Sequence, residues 1–73
     1  MTLDMGKKGQ KLKIVAINND LFRAQALRFG IAEGETVICE EIIPAGPVVV
    51  RKNRQEIAIG RGMAKNIIVE PAQ

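Results

Sequence analysis

The stretch from Ala26 to Val37 constrains this fold more than any other part of the chain. A helix-like pattern runs into Gly30, a short link follows, and a strand-like run begins at Thr36, just after Gly34. Glycine reaches positive φ without a Cβ clash, so it ends helices and turns corners. Most of the remaining chain reads as strand. A helix leaving one glycine and a strand leaving the next therefore predict a single helix inserted into a small β-barrel.

The strand readings follow from alternation and from turn residues. Lys11 to Ile17 alternates at its start, which predicts Leu12, Ile14 and Ala16 on one face. Asn18, Asn19 and Asp20 form a cap cluster, with Asn19 or Asp20 able to accept from the free N–H groups of a first helical turn. The helix is expected from Leu21 to Phe29, with Phe22, Ala26 and Phe29 on one face and Leu27 and Ile31 packed elsewhere. It has few polar residues, so much of it is expected to be covered. Thr36 to Ile43 reads as a strand with Val37 and Cys39 sharing a face, and Pro44 to Pro47 as a turn. Val48 to Val50 and Glu56 to Ile59 read as a hairpin whose charged tip places Asn53 in a left-handed turn. One helical turn over Gly60 to Lys65 and a last strand, Ile67 to Val69, complete the count. The fold class is mainly β: a five-stranded barrel with one inserted α-helix and one short helical turn, closed so as to remove aggregating edges. Residues 1–8 are expected to be a flexible tail, 9–70 a single domain and 71–73 a second tail.

At 73 residues the chain is one domain with a modest core. Only Phe22 and Phe29 are aromatic, so that core must be aliphatic. Cys39 is the only cysteine, which rules out an internal disulfide and fits a reducing cytosol. The longest apolar run, Ile42 to Val50, is broken by Pro44, Gly46 and Pro47 and falls far short of the ~20 residues of a membrane span.

The chemistry is limited by what is missing. Histidine and serine are both absent, which removes the commonest general base and every Ser-His-Asp or Cys-His arrangement. Gly6 to Gly9 is basic but precedes a strand, so it is no phosphate cradle. Glu40 and Glu41 are adjacent on a strand and point to opposite faces. Glu33 and Glu35 flank Gly34, and two carboxylates alone make a weak, unselective cation site. Cys39 is expected to be a buried structural thiol. No catalytic, cofactor or metal-ligating set emerges.

Charge is unevenly distributed. Residues 1–30 hold six basic and two acidic side chains, 31–45 hold four acidic and none basic, and 46–65 hold five basic and one acidic. Such separation orients encounters with a charged partner. Arg51, Lys52, Arg54, Arg61 and Lys65 are the candidate partner-binding set, expected on one face near the hairpin tip. The alternative is a solubilising tip. Nucleic-acid binding is not expected, because single-strand recognition wants exposed aromatic platforms and neither phenylalanine is expected to be exposed.

The register Leu27-x-x-Gly30-Ile31-x-x-Gly34-x-x-Val37, with Gly46-Pro47-Val48-x-Val50, Ile57-Ala58-Ile59 and Ala64-x-x-Ile67-x-Val69, resembles the FeoA family, ferrous iron transport protein A. The likeness runs from Gly9 to Val69. It implies an SH3-like barrel in which Gly30, Gly34, Leu27, Val37, Ala64 and Ile67 are structural. It also implies a bacterial, cytoplasmic accessory of FeoB, a membrane transporter with a cytosolic GTP-binding domain, acting by protein contact and not as an enzyme. The transition-metal label often attached to the family has no counterpart among these residues. The chain departs from the family pattern at Ala24 and Gln25, where members often carry a basic pair, at Gly60, where they usually carry a basic residue, and at Gly62. Two other readings stay open: the SH3-like regulatory domain of a metal-dependent repressor, which requires a preceding helix-turn-helix domain, and a basic RNA-binding barrel.

Overall fold

Strand β1, Lys11–Ile17, pairs with β2 on one side and β5 on the other in a five-stranded antiparallel sheet ordered β4-β3-β2-β1-β5 in a computed structural model that describes residues 1–72. The other strands are β2, Thr36–Ile42, β3, Val48–Lys52, β4, Gln55–Ile59, and β5, Ile67–Pro71. Helix α1, Asp20–Arg28, joins β1 to β2, and the single turn α2, Arg61–Ala64, joins β4 to β5. These are the strands, inserted helix and helical turn expected from the sequence. The sheet itself does not close, since β4 and β5 end it on either side without pairing.

Two irregularities reset the alternation. The β1–β5 register shifts between Ile14 and Ala16, so Leu12, Ile14 and Ile17 are buried and Ala16 is not, contrary to expectation. An extra residue in a strand turns every later side chain to the opposite face. The β2–β3 register shifts between Cys39 and Glu41. Val37 and Cys39 stay in the core as expected, and Ile42 rather than Glu41 packs against it.

The core is aliphatic. Leu12, Ile17, Val48, Val50, Ala64 and Ile67 have no exposed surface, and Val37 and Val69 have 1%. Leu3 belongs to the same cluster at 1% exposure. Residues 1–8 therefore depart from a flexible tail: Leu3–Met5 form a 3-10 turn, Met1 O accepts from Val69 N at 2.7 Å, and Thr2 bridges Ile68. One buried leucine anchors the segment. At the other end Pro71 lies within β5, and Ala72 N donates to Lys11 O at 2.9 Å, so the domain runs past residue 70. Gln73 lies outside the described residues.

The glycine joint is built as its sequence implies. Asn19 caps α1, its Oδ1 accepting from Phe22 N at 3.1 Å. At the far end Gly30 has φ +78°, Ile31 N donates to Ala26 O at 3.0 Å, and Gly30 N donates to Leu27 O at 3.0 Å. This paired-bond ending brings the residue after the glycine against the third residue from the helix end. That contact is Ile31 on Ala26, both buried. Gly34, at φ +93°, then donates to Ile14 O at 2.8 Å and starts the link into β2.

Candidate interaction face

The five basic candidates do not converge. Arg51 and Lys52 are neighbours on β3 and point to opposite faces. Arg51 Nε donates to Glu40 Oε1 at 2.6 Å, and its NH2 donates to Glu56 Oε2 at 3.1 Å. Lys52 Nζ donates to the Gly30 carbonyl and pairs with Glu35 at 3.2 Å, locking the glycine joint to the hairpin. Arg61 lies toward the opposite end of β3, roughly 13 Å along the strand. There its Nε donates to Gly46 O at 3.0 Å and its NH2 to Ile43 O at 2.7 Å, clamping the β2–β3 turn. Arg54 sits at the exposed tip with φ +69°, next to Asn53 at φ +52°. Lys65 is exposed and follows the last residue of α2 as its C-cap. Three of the five side chains are thus engaged by carboxylates or carbonyls in separate places, and the expected single basic face is not formed.

The carboxylates are likewise dispersed. Glu33 Oε2 accepts from Ile17 N at 3.3 Å, while Glu35 turns to Lys52. The Arg51 guanidinium, hydrogen-bonded to Glu40, holds that carboxyl below its ordinary value. Burial, helped by the nearby Glu40 charge, pushes the Cys39 thiol up, so the thiol stays protonated and inert. Among the described residues, no group of three or more His, Cys, Asp or Glu side chains could hold a metal ion. No helix among them is long and apolar enough to cross a membrane.

What the structure does assemble is apolar. Of the nine residues of α1 only Ala26 is buried, with Phe22 packed partly against the core. Leu21 and Leu27 are each 64% exposed and Phe29 is 51% exposed. The expectation of a largely covered helix is corrected here, and with it the structural role given to the Leu27 side chain. Leu27 contributes only its carbonyl to the helix ending. Val37, Ala64 and Ile67 do occupy the core, and Gly30 and Gly34 do take left-handed conformations. On the Phe29 side of α1 a groove of about 370 Å³ opens, with Gln25, Arg28 and Phe29 on one wall and Ala58, Gly60 and Met63 on the other.

Sequence reasoning missed this groove because it assigned Phe29 to the core. The signal lay in the glycine. In a helix ending of this kind the residue after the glycine makes the buried contact, so Ile31 takes the place that Phe29 was given. Two of the positions at which the chain departs from the FeoA pattern, Gln25 and Gly60, line the groove. A Cβ at Gly60 or Gly62 would meet no atom within 4 Å, so both face open space.

The family model described as FeoA domain matches residues 1–71. A crystal structure of an iron uptake regulatory protein, FeoA, is similar with a TM-score of 0.89 and 26% identity, over 99% of this chain and 97% of that one. The solution structure of FeoA from Chlorobium tepidum gives 0.86 and 21%, over 100% of this chain and 71% of that one. A FeoA-like protein from Clostridium acetobutylicum gives 0.85 and 21%, over 100% and 87%. No curated protein sequence matches the chain. The mainly β, SH3-like arrangement expected from the sequence agrees with these neighbours, although the sheet is open at β4 and β5.

Proposed function

This chain belongs to the FeoA family, which is associated with ferrous iron transport, and from that premise we propose that it is a cytosolic accessory of the FeoB transporter, acting by protein contact. The observation that carries this reading is the unpartnered apolar surface on α1 and the groove beside it, on a chain without histidine or serine. Exposed apolar side chains cost solubility and are tolerated where they meet a partner. Three of them, Leu21, Leu27 and Phe29, lie on α1 or at its end, and Phe29 faces Met63 across the groove.

The contact is assigned to the groove and not to the hairpin tip. Arg51, Lys52 and Arg61 already hold the fold's own carboxylates and carbonyls, and using them would break those bonds. Arg54 and Lys65 remain available to steer the encounter. The test is an NMR titration of the isotope-labelled chain with the cytosolic region of FeoB. Amide shifts are expected at Gln25, Phe29, Ala58 and Met63. Shifts gathered instead at Arg51 to Arg54 would move the contact to the tip. A spectrum unchanged at high concentration and low salt would sink the FeoB reading.

A further inference from the structure

The two edges of the sheet are treated differently. On β5 the outer edge is covered by the N-terminal segment, through the Met1 carbonyl on Val69 N and the bridge between Thr2 and Ile68. On β4 it is bare. The β3–β4 hairpin closes at Lys52 opposite Gln55, across the left-handed pair Asn53 and Arg54. Hydrogen-bonded pairs alternate outward from that closing pair, so Gln55, Ile57 and Ile59 bond to β3. Glu56 and Ala58 then direct their N–H and C=O groups away from the sheet. None of these four groups finds another backbone partner among the described residues. Both residues are exposed.

The bare edge leads into the groove. Ala58 and Ile59 point to opposite faces of β4, so a groove lined by both lies at the strand's edge. Ala58 and Gly60 are small enough for another backbone to approach. Arg28 stands on the rim, exposed and without an ion pair among the described residues. No carboxylate lines the groove.

We propose that the β4 edge takes an extended peptide segment of the partner as an added strand, through the outward backbone groups of Glu56 and Ala58. The segment places an apolar side chain between Phe29 and Met63 and an acidic one at Arg28. Strand addition draws its affinity from main-chain bonds and its specificity from side-chain pockets. Charge selects the occupant. An acidic segment is attracted to Arg28, whose charge no carboxylate of the groove lining neutralises. The proposal rests on the groove being the partner's docking site.

The test follows the Glu56 and Ala58 amides by hydrogen exchange in the full chain, in two arms. One arm adds the cytosolic region of FeoB. The other adds a capped hexapeptide of alternating threonine and valine carrying one glutamate, with its lysine counterpart as control. At least tenfold slower exchange at both amides is expected in each arm, with the glutamate peptide binding at least threefold tighter than the lysine one. Ala58→Pro removes an outward N–H without touching a β3 bond and should weaken binding at least tenfold. Arg28→Glu, far from the ladder, should reverse the peptide preference if the proline variant folds poorly. Binding of the FeoB region with both amides still exchanging freely overturns strand addition and leaves the proposed function standing. If the FeoB region does not bind, that function fails, and the peptide arm alone decides strand addition: protection upholds it, free exchange overturns it. Protection that grows with protein concentration alone identifies a second copy as the occupant and overturns the choice of partner.

Discussion

The sheet and helix α1 spend their apolar residues in opposite ways. In the sheet Leu12, Ile14, Val37, Val50, Ile67 and Val69 are at most 1% exposed. In α1 the apolar residues Leu21 and Leu27 lie mostly in solvent, and Ala26 is the one buried side chain. A chain of 73 residues has little core to spare. The contrast therefore separates two jobs: the sheet carries stability, and the helix is a platform held on by its caps and by Ala26, Phe22 and Ile31. Substitutions in the two regions should separate in the same way.

The largest effect should come from the sheet. Leu12→Ala empties a fully buried site and should cost about 3 kcal/mol. That is a large share of the roughly 4–11 kcal/mol expected for a domain of this size. Urea unfolding measures it, and a loss under 1 kcal/mol would mean that the sheet does not dominate stability. At the joint between the regions, Gly30→Ala forces a Cβ into φ +78° and against Lys52 Nζ at 3.4 Å. It should cost about 1 kcal/mol. Asn19→Ala, which removes the side-chain cap on Phe22 N, should cost about the same. If neither changes the unfolding midpoint, α1 is not held by its ends.

A smaller effect separates the regions by pH. Glu40, on β2, is held below its ordinary carboxyl value first by the Arg51 hydrogen bond. A group with a depressed folded pKa contributes stability above its unfolded pKa and loses it as pH falls through the folded value. Glu40→Gln should therefore lower the melting temperature at neutral pH. The gap to the parent protein should close below the ordinary carboxyl value of 4.5. A gap that stays constant from neutral pH into acid would remove the ion pair from the account.

The same contrast explains what was legible in the sequence. Strand residues alternate between two faces, so Leu12, Ile14, Val37 and Cys39 follow from spacing alone. The exceptions, Ala16 and the pair Glu41 and Ile42, lie just past bulges, and the residues around them carry no turn chemistry that would reveal an extra residue. Gly30 and Gly34 were legible because positive φ has few substitutes. Leu3 was not, because Met1, Leu3 and Met5 alternate over only five residues, and so short a run does not single out the one that is buried. The groove was hidden for a related reason. Spacing along a helix says which residues share a face, but not whether that face meets the core. That depended on Ile31, outside the helix, taking the buried place beside Ala26. The dispersal of the basic residues was equally unreadable, since the partners of Arg61 are backbone carbonyls of Ile43 and Gly46.

The smallest stability effect belongs to a residue that the sequence packs and the structure exposes. Leu27 is 64% exposed, and at roughly 100° per residue it lies across the helix from Phe29. Leu27→Gln keeps a good helix former and buries nothing new, so stability should change by less than about 0.5 kcal/mol. Phe29→Gln should be nearly as mild, because Phe29 is 51% exposed and follows the last residue of α1. The two differ in what they face: Phe29 lines the groove and Leu27 does not. In a titration with the FeoB cytosolic region, Phe29→Gln should lose at least tenfold in affinity while Leu27→Gln binds as the parent does. Equal losses would spread the contact around the whole helix. A loss confined to Leu27→Gln would place it on the flank opposite the groove, leaving Arg28 and the β4 edge outside the contact.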